Sequence, residues 1–254
     1  MTRQQGAPGG GTVQNRTVFV ATAGIDIGTA IAAGLVAAGA RVAWITDGEE
    51  PRQSSGLSVV RIGTNFDSRA ALEGAFAQAT ERIGPPTQIV HSALPEIAVA
   101  SAEIAALSAA HWSASCRAAL SATLYCLQAA FMQLNGRGGS IVLIGPSLSL
   151  AGAAGLVPLS TAVEGQRGLA KSSARQWGRA GITVNWIAAA PTALSPLFAK
   201  TALPTKPDPI PVAFGRPLDL QAEIVPMIDF LGRSAGRALT GATLVLDGGE
   251  WMVP

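Results

Sequence analysis

Few side chains in this sequence are suited to proton transfer. The strongest candidate is His91, which lies in an apolar run predicted to be a strand, and ligands in parallel α/β folds bind beside the carboxyl ends of strands. His91 is either a catalytic acid/base or a hydrogen-bonded structural histidine, and we favour the structural interpretation. His111 and Glu164 are interpreted as polar residues at the surface or at a helix start.

The segment from Ala21 to Gly28 reads Ala-Thr-Ala-Gly-Ile-Asp-Ile-Gly and joins a predicted strand to a predicted helix. Glycines at such a turn let backbone N–H groups approach a pyrophosphate. Asp26 would instead place a carboxylate beside the phosphates, and like charges about 4 Å apart repel by about 1 kcal/mol in water and by several near a protein surface. We interpret Asp26 as a cap of the helix that begins near Gly28. Gly24 could form a different tight turn, which leaves weak binding in another geometry open.

Short β-rich runs alternate with Ala-rich helical stretches from Thr17 onward, which is the pattern of βαβ units on a parallel sheet. We predict strands at residues 17–21, 41–46, 58–62, 88–92, 140–144, 183–188 and 243–246. We predict helices at residues 28–38, 68–83, 112–134, 159–179 and 220–231. The second helix follows from the helical spacing of Leu72, Phe76, Ala79 and Ile83.

One segment interrupts this alternation. Residues 192–217 contain six prolines, and each proline restricts its own φ and the conformation of the preceding residue. We therefore predict a long loop there rather than a regular helix. Residues 1–16 lack the apolar core of a signal peptide and are predicted to be a flexible N-terminal tail. Residues 17–254 are predicted to form a single α/β domain.

The composition excludes several classes of protein. The 254 residues are 48% hydrophobic and 13% charged, which is too apolar for a disordered chain and poor in charge for a monomer, so we expect subunit contacts. A net charge of +2 without a Lys/Arg cluster argues against nucleic acid binding, and no apolar run approaches the roughly 20 residues of a membrane span. Cys116 and Cys126 lie about 15 Å apart along one predicted helix, too far for a disulfide. We predict reduced cysteines and a cytoplasmic protein.

Gly28, Asn185 and two closing segments, Leu239-Thr240-Gly241 and Leu246-Asp247-Gly248-Gly249, occur in an order that resembles the short-chain dehydrogenase/reductase family. The resemblance covers about residues 17–249. It implies a Rossmann-like, doubly wound, seven-stranded parallel sheet. It also implies NAD(P) binding at the carboxyl ends of the first strands and a tetramer with a helical core. Fold alone does not establish the activity.

The family's cofactor positions are altered in this sequence. The first two glycines of the family's Thr-Gly-x-x-x-Gly-x-Gly loop fall on Thr22 and Asp26, and only Gly28 remains in register. Three further family positions differ. The ribose-recognising acid of the second strand falls on Thr46, with Asp47 beside it, and the acid after the third strand falls on Asn65. The Asn-Asn-Ala-Gly segment of the fourth strand falls on His91-Ser92-Ala93-Leu94.

The family's catalytic positions are altered as well. The tyrosine and lysine of its Tyr-x-x-x-Lys motif fall on Leu159 and Val163, the serine on Pro146 with Ser147 beside it, and the asparagine on Ala119. An aliphatic side chain transfers no proton, and a positioned acid or base is typically worth about 10²–10⁴ in rate. Ser147 is either a displaced remnant or, as we favour, a loop hydroxyl.

No other residue restores the set. Tyr125 is followed four residues later by Ala129, and Lys171 lies about 12 Å along the helix from Val163. Halohydrin dehalogenases resemble this family but have lost the nucleotide and use a Ser-Tyr-Arg site. This sequence lacks the tyrosine and the arginine of that site. We therefore predict no catalytic, cofactor-binding or metal-ligating residue in this chain.

The retained features serve folding and assembly. The resemblance implies subunit pairing through the helices at 112–134 and 159–179 and through the C-terminal segment. The leading hypothesis is a non-catalytic pseudo-subunit that pairs with a catalytically intact homologue in a hetero-oligomer, expected to be a tetramer, with NAD or NADP bound by the partner only. Similar pairing occurs in hydroxyacyl-CoA dehydrogenases of the benzylsuccinate type. The alternatives are a divergent active oxidoreductase and a small-ligand-binding protein whose crevice is lined by Leu159, Val163 and Leu94.

Overall fold

The computed structural model describes residues 16–48, 59–200 and 213–252, and a sheet of seven parallel strands lies at the centre of this part of the chain. The strands are β1 (Thr17–Gly24), β2 (Arg41–Asp47), β3 (Val59–Thr64), β4 (Gln88–Leu94), β5 (Gly139–Pro146), β6 (Ile182–Ala189) and β7 (Thr243–Leu246). Their order is β3-β2-β1-β4-β5-β6-β7. All seven predicted strands are confirmed to within a few residues; Ser58, the predicted start of the third, lies outside the described residues.

Helices of two groups pack on this sheet. They are α1 (Gly28–Ala37), α2 (Arg69–Ile83), α3 (Ala109–Trp112), α4 (Ala118–Leu134), α5 (Val157–Trp177), α6 (Pro191–Leu194), α7 (Leu197–Lys200) and α8 (Val225–Leu231). Helix α4 contacts both α2 and α5, whereas α1 contacts α8. The doubly wound fold predicted from the βαβ pattern is therefore confirmed.

Local sequence explains where these helices begin. The Ser68 hydroxyl accepts a hydrogen bond from the Ala71 amide (3.3 Å) and caps α2, which buries Leu72, Phe76 and Ala79 as their spacing predicts. Helix α5 starts earlier than predicted, because Pro158 occupies the first turn, where the missing N–H costs nothing.

Three predicted elements need correction. The helix predicted for residues 112–134 begins at Ala109 and contains a π-turn, Ser113–Arg117, where the Ser115 hydroxyl donates to the His111 carbonyl (2.6 Å) and competes with the helical hydrogen bonds. A second π-turn, Leu220–Ile224, precedes α8. The proline-rich segment contains α6 and α7, since Pro191 starts a helical turn; residues 201–212 lie outside the described residues.

The closing motifs hold the end of the chain on the sheet. The Asn185 side chain donates to the Leu239 carbonyl (2.8 Å) and accepts from the Ala242 amide (3.1 Å). The Asp247 carboxylate accepts from the amides of Gly249 (3.0 Å) and Trp251 (2.9 Å). These residues are therefore explained by folding alone.

The structure also tests what was expected of the cysteines, the N-terminal tail, membrane spans and metal sites. Cys116 and Cys126 are free and buried, as predicted, and Arg16 is buried although it was assigned to the N-terminal tail. Among the described helices, none has the length and apolar character needed to cross a bilayer. Within the same residues no cluster of His, Cys, Asp and Glu could hold a metal ion.

Candidate functional site

The strand order places the candidate site at the carboxyl ends of β1 and β4. These two strands are neighbours in the sheet. The chain continues from β1 to β2 and β3 on one side, and from β4 to β5, β6 and β7 on the other. Such a reversal opens a crevice between the loops, and open α/β sheets bind ligands there. The loop between β1 and α1, the ends of β4 and β5, and the first turns of α5 surround this crevice.

Backbone amides of the β1–α1 loop are bonded by the chain itself. The Gly24 amide donates to the Asp47 carboxylate (2.9 Å) and the Ile25 amide donates to the Leu94 carbonyl (2.8 Å). The Thr29 amide donates to Asp26 Oδ1 (3.2 Å), and the Thr29 hydroxyl donates to Asp26 Oδ2 (3.1 Å). Asp26 therefore caps the start of α1, as predicted, and occupies N–H groups that would otherwise face an anion.

Gly24 forms a tight turn, which the sequence analysis had left open. Its φ is +83°, and a Cβ there would lie 2.1 Å from the Leu94 carbonyl oxygen. The loop therefore lies directly against the end of β4, and the next residue, Ile25, is buried.

A tryptophan occupies the space beneath the start of α1. The Trp44 indole Nε1 donates to the Thr22 hydroxyl (2.9 Å). A Cβ on Gly28 would lie 2.2 Å from Trp44 Nε1 and 2.5 Å from the Thr22 hydroxyl oxygen. The one glycine retained from the family loop is thus required by protein packing. Sequence reasoning missed Trp44, because the residues of this cluster are distant in sequence.

The two residues that the sequence resemblance assigns to the family's acid/base pair lie in the core. Leu159 and Val163 are 1% and 0% exposed. Gln166, one turn further on the same face of α5, is also buried, and its Nε2 donates to the Ala93 carbonyl (3.0 Å), with the Ala119 carbonyl at 3.5 Å. This amide braces α5 against β4 and α4. A polar residue on an otherwise apolar helix face was the feature that could have revealed it.

The serine next to the family's catalytic position is fully buried. Pro146 ends β5, and Ser147 follows it at 0% exposure. Among the described residues the Ser147 hydroxyl has no hydrogen-bond partner. With aliphatic side chains at positions 159 and 163, no base lies at the family position to accept its proton.

His91 is held by two hydrogen bonds in the core. A carbonyl oxygen only accepts, so Nδ1 carries the proton and donates to the Ala21 carbonyl (2.8 Å), while the Thr123 hydroxyl donates to Nε2 (3.1 Å). The Phe66 ring stacks on the imidazole with centroids 6.2 Å apart. Burial lowers the pKa of His91 to about 4, partly opposed by the Ala21 hydrogen bond. His91 is thus the hydrogen-bonded histidine that the sequence favoured.

The remaining candidates do not converge on the crevice. Lys171 is exposed on α5 beside Thr240 and Gly241, and Glu164 pairs with Arg167 on the same helix (Nε–Oε2 2.9 Å). His111 lies in the short helix α3, whose first turn Ser108 caps.

A cavity of about 450 Å³ lies between the ends of β1 to β4 and the helix α4. Its polar lining residues on the sheet side are Asp47, at the end of β2, and Asn65 and Asp67, which follow β3. Those on the helical side are Ser113, Arg117, Ser121 and Tyr125. Leu159, Val163 and Leu94 do not line it, since each is at most 1% exposed in the core. The expectation that these three residues line an apolar ligand crevice is therefore wrong.

The residues of the β1–α1 loop and of the start of α5 do not fit a nicotinamide dinucleotide bound in the family's manner. Three loop amides are bonded within the chain, and the Asp26 carboxylate stands at the start of α1. The acid/base and lysine positions are alkyl groups buried in the core.

Comparisons with known proteins agree on the fold. A family model described as enoyl-(acyl carrier protein) reductase matches residues 22–250. The structure superposes on levodione reductase with a TM-score of 0.78 at 21% identity, covering 92% of this chain and 97% of that one. Sorbitol-6-phosphate 2-dehydrogenase from Erwinia amylovora gives a TM-score of 0.77 at 20% identity, covering 92% and 100%.

Two relatives are similar in sequence. A subunit of (2S)-[(R)-hydroxy(phenyl)methyl]succinyl-CoA dehydrogenase from Thauera aromatica is 30% identical over 184 residues, which is 69% of this chain and 73% of the relative. A short-chain dehydrogenase/reductase from Hericium erinaceus is 26% identical over 220 residues, covering 83% of both proteins. The extent of the family match and the shared fold lead to one conclusion: this chain belongs to the short-chain dehydrogenase/reductase family.

Proposed function

We propose that this chain is a non-catalytic subunit that assembles with a catalytically intact homologue into a hetero-oligomeric NAD(P)-dependent dehydrogenase. The observation that carries the proposal is the burial of Leu159 and Val163 at the acid/base and lysine positions. Neither side chain can transfer a proton, so the partner supplies the chemistry.

In this proposal the partner also supplies the cofactor. A dinucleotide would have to displace Asp26 from the Thr29 amide and Asp47 from the Gly24 amide. Its diphosphate would meet the Asp26 carboxylate, and the repulsion between like charges near a protein surface costs several kcal/mol at about 4 Å.

The helices α4 and α5 form the surface proposed for the partner. Gly165 lets them approach closely, since a Cβ there would lie 2.5 Å from a Leu120 methyl group. The Phe131 and Trp177 rings are 5.0 Å apart and join the same two helices. On α4, Leu124 and Met132 are 40% and 63% exposed, which leaves apolar area for a partner to cover.

One relative supports a proposal for the substrate class. The similar protein from Thauera aromatica is named as a subunit of a dehydrogenase that acts on a substituted succinyl-CoA. We therefore expect the assembled enzyme to act on a hydroxyacyl-CoA.

Co-expression with the intact family member encoded nearest to this chain tests the proposal. A tag on this chain is expected to recover a stable hetero-oligomer, and native mass spectrometry gives its composition. The double variant Leu124→Asp/Met132→Asp is expected to abolish recovery, because it puts two charges in the apolar contact. The control Ile104→Asp changes a residue that is 71% exposed and lies outside α4 and α5; it is expected to leave recovery unchanged. A homo-oligomer that reduces a carbonyl substrate with NAD(P)H would contradict the proposal.

A second candidate function is the binding of a small polar ligand. It is favoured by the cavity of about 450 Å³ lined by Asp47, Asn65, Asp67, Arg117 and Tyr125, whose size is usual for small-molecule sites. A melting-temperature screen of the isolated chain against polar metabolites tests it, since a ligand of the native state stabilises it by mass action. A ligand that shifts the wild type but not Tyr125→Phe/Arg117→Gln would support this function.

A further inference from the structure

A second cavity opens at the other edge of the sheet, where the strands begin. Its volume is about 450 Å³, and Thr87, Ser140 and Thr183 line it at the starts of β4, β5 and β6. The last residue of α8, Leu231, and the following residues 232–234 and Arg237 form another part of the wall. Because all seven strands are parallel, this cavity lies on the opposite edge of the sheet from the crevice at the carboxyl ends.

The wall of this cavity is strongly basic. Four arginines line it, Arg16, Arg137, Arg233 and Arg237, and no acidic residue does. One carboxylate, Asp229, lies behind the wall: it forms an ion pair with Arg16 and another with Arg233 (Nε–Oδ2 2.5 Å). A single carboxylate against four guanidinium groups leaves an excess of positive charge.

Two of these arginines have no acidic partner. Arg137 follows α4 and Arg237 follows α8; both are exposed, and neither forms an ion pair within the described part of the chain. A guanidinium group presents several N–H donors in one plane and binds phosphate oxygens in pairs. Both side chains are therefore available to an anion.

Two hydroxyl groups at the same cavity also lack partners. Ser140 and Thr183 line it, and within residues 16–48, 59–200 and 213–252 their buried hydroxyl oxygens form no hydrogen bond. A buried hydroxyl left without a partner costs about 1–3 kcal/mol. A bound anion that reaches these hydroxyls would accept their hydrogen bonds and remove this cost.

We propose that this cavity binds the phosphate group of a small phosphorylated molecule. The arginines supply the charge, and Ser140 and Thr183 supply neutral donors at the strand starts. The volume of about 450 Å³ is within the range of small-molecule sites and exceeds what a lone phosphate fills, so the remainder of the ligand has room. The site uses none of the residues that form the crevice and does not depend on the proposed function.

Isothermal titration calorimetry of the full-length chain tests this site, with inorganic phosphate and glycerol 3-phosphate as probes at constant ionic strength set with sodium chloride. We expect saturable one-to-one binding of both probes, tighter for the ester. The variant Arg137→Gln/Arg237→Gln is expected to weaken binding at least tenfold. Both arginines are exposed and form no ion pair with another described residue, so circular dichroism and melting temperature are expected to stay unchanged.

The control is Arg69→Gln, which removes one positive charge from the exposed Arg69–Glu73 pair on α2. It is expected to change the affinity by less than twofold. Absence of saturable binding for both probes would overturn the proposal, and so would a double variant that binds as tightly as the control. Equal affinity for phosphate and ester would contradict the part that concerns the ester.

Discussion

Gly28 lies where the family places a glycine for its nucleotide, and here it faces Trp44 and Thr22. We predict that Gly28→Ala destabilises the protein by about 1–3 kcal/mol, because the new methyl group would overlap the indole of Trp44. Gly74→Ala is the matched control: Gly74 lies within α2 with nothing within 4 Å of its missing Cβ, so alanine there is expected to stabilise by roughly 0.5–1 kcal/mol. Urea unfolding measures both changes, and equal stabilities for wild type and Gly28→Ala would contradict the packing argument.

The burial of His91 predicts how stability depends on pH. Its pKa is about 4 in the folded protein against 6.5 for a free histidine, so between these values the unfolded chain binds more protons than the folded one. This contribution is complete above pH 6.5 and is lost as the pH falls toward 4; it amounts to on the order of 3 kcal/mol.

Urea unfolding at pH 5 and at pH 7 checks this dependence. The wild type is expected to lose more stability between the two pH values than His91→Gln does, since the variant carries no titrating group at that position. An equal loss in both proteins would show that His91 is not the group that titrates.

What the sequence revealed of the site depends on the kind of residue. The aliphatic residues at positions 159 and 163 were predictable, because an absent proton donor is visible in the sequence itself. The Trp44–Thr22 hydrogen bond was not, since β1 and β2 must pair before the two side chains meet. The apolar crevice predicted from Leu159, Val163 and Leu94 was wrong, because these side chains fill the core.

At the scale of single elements, Asp26 connects the loop to the start of α1. We predict that Asp26→Ala lowers the free energy of unfolding by about 0.5–2 kcal/mol, because the Thr29 amide loses its acceptor. Asp26→Asn keeps an acceptor oxygen at the same position and is expected to lose less. Thermal and urea unfolding give both values; a variant Asp26→Ala as stable as the wild type would contradict the capping function.

Elements with a clear apolar pattern were predicted better than their irregular parts. The strands follow from short β-rich runs, and α2 follows from Leu72, Phe76 and Ala79 at helical spacing. The π-turn before α4 depends on the Ser115 hydroxyl bonding the His111 carbonyl, which periodicity does not report. Pro196 was interpreted as a loop residue, although it directly precedes α7, and proline is compatible with the start of a helix.

At the scale of the whole molecule, the family fold is retained, and the loop before α1 is bonded to other parts of the same chain. The sheet, the closing Asn185 and Asp247 contacts and the α4–α5 pair stabilise the fold. The β1–α1 loop is stabilised by contacts within the chain, among them the bonds made by Asp26 and Asp47. In the proposed function, such a chain contributes surfaces to an assembly and its partner carries out the reaction.

The most direct measurement is the affinity of the isolated, full-length chain for NADH and NADPH, determined by nucleotide fluorescence and by calorimetry. Under the proposed function we expect no saturable binding of either nucleotide up to millimolar concentrations, while the intact partner binds its cofactor normally. Saturable binding to this chain at micromolar concentration, accompanied by turnover of a carbonyl substrate, would contradict it.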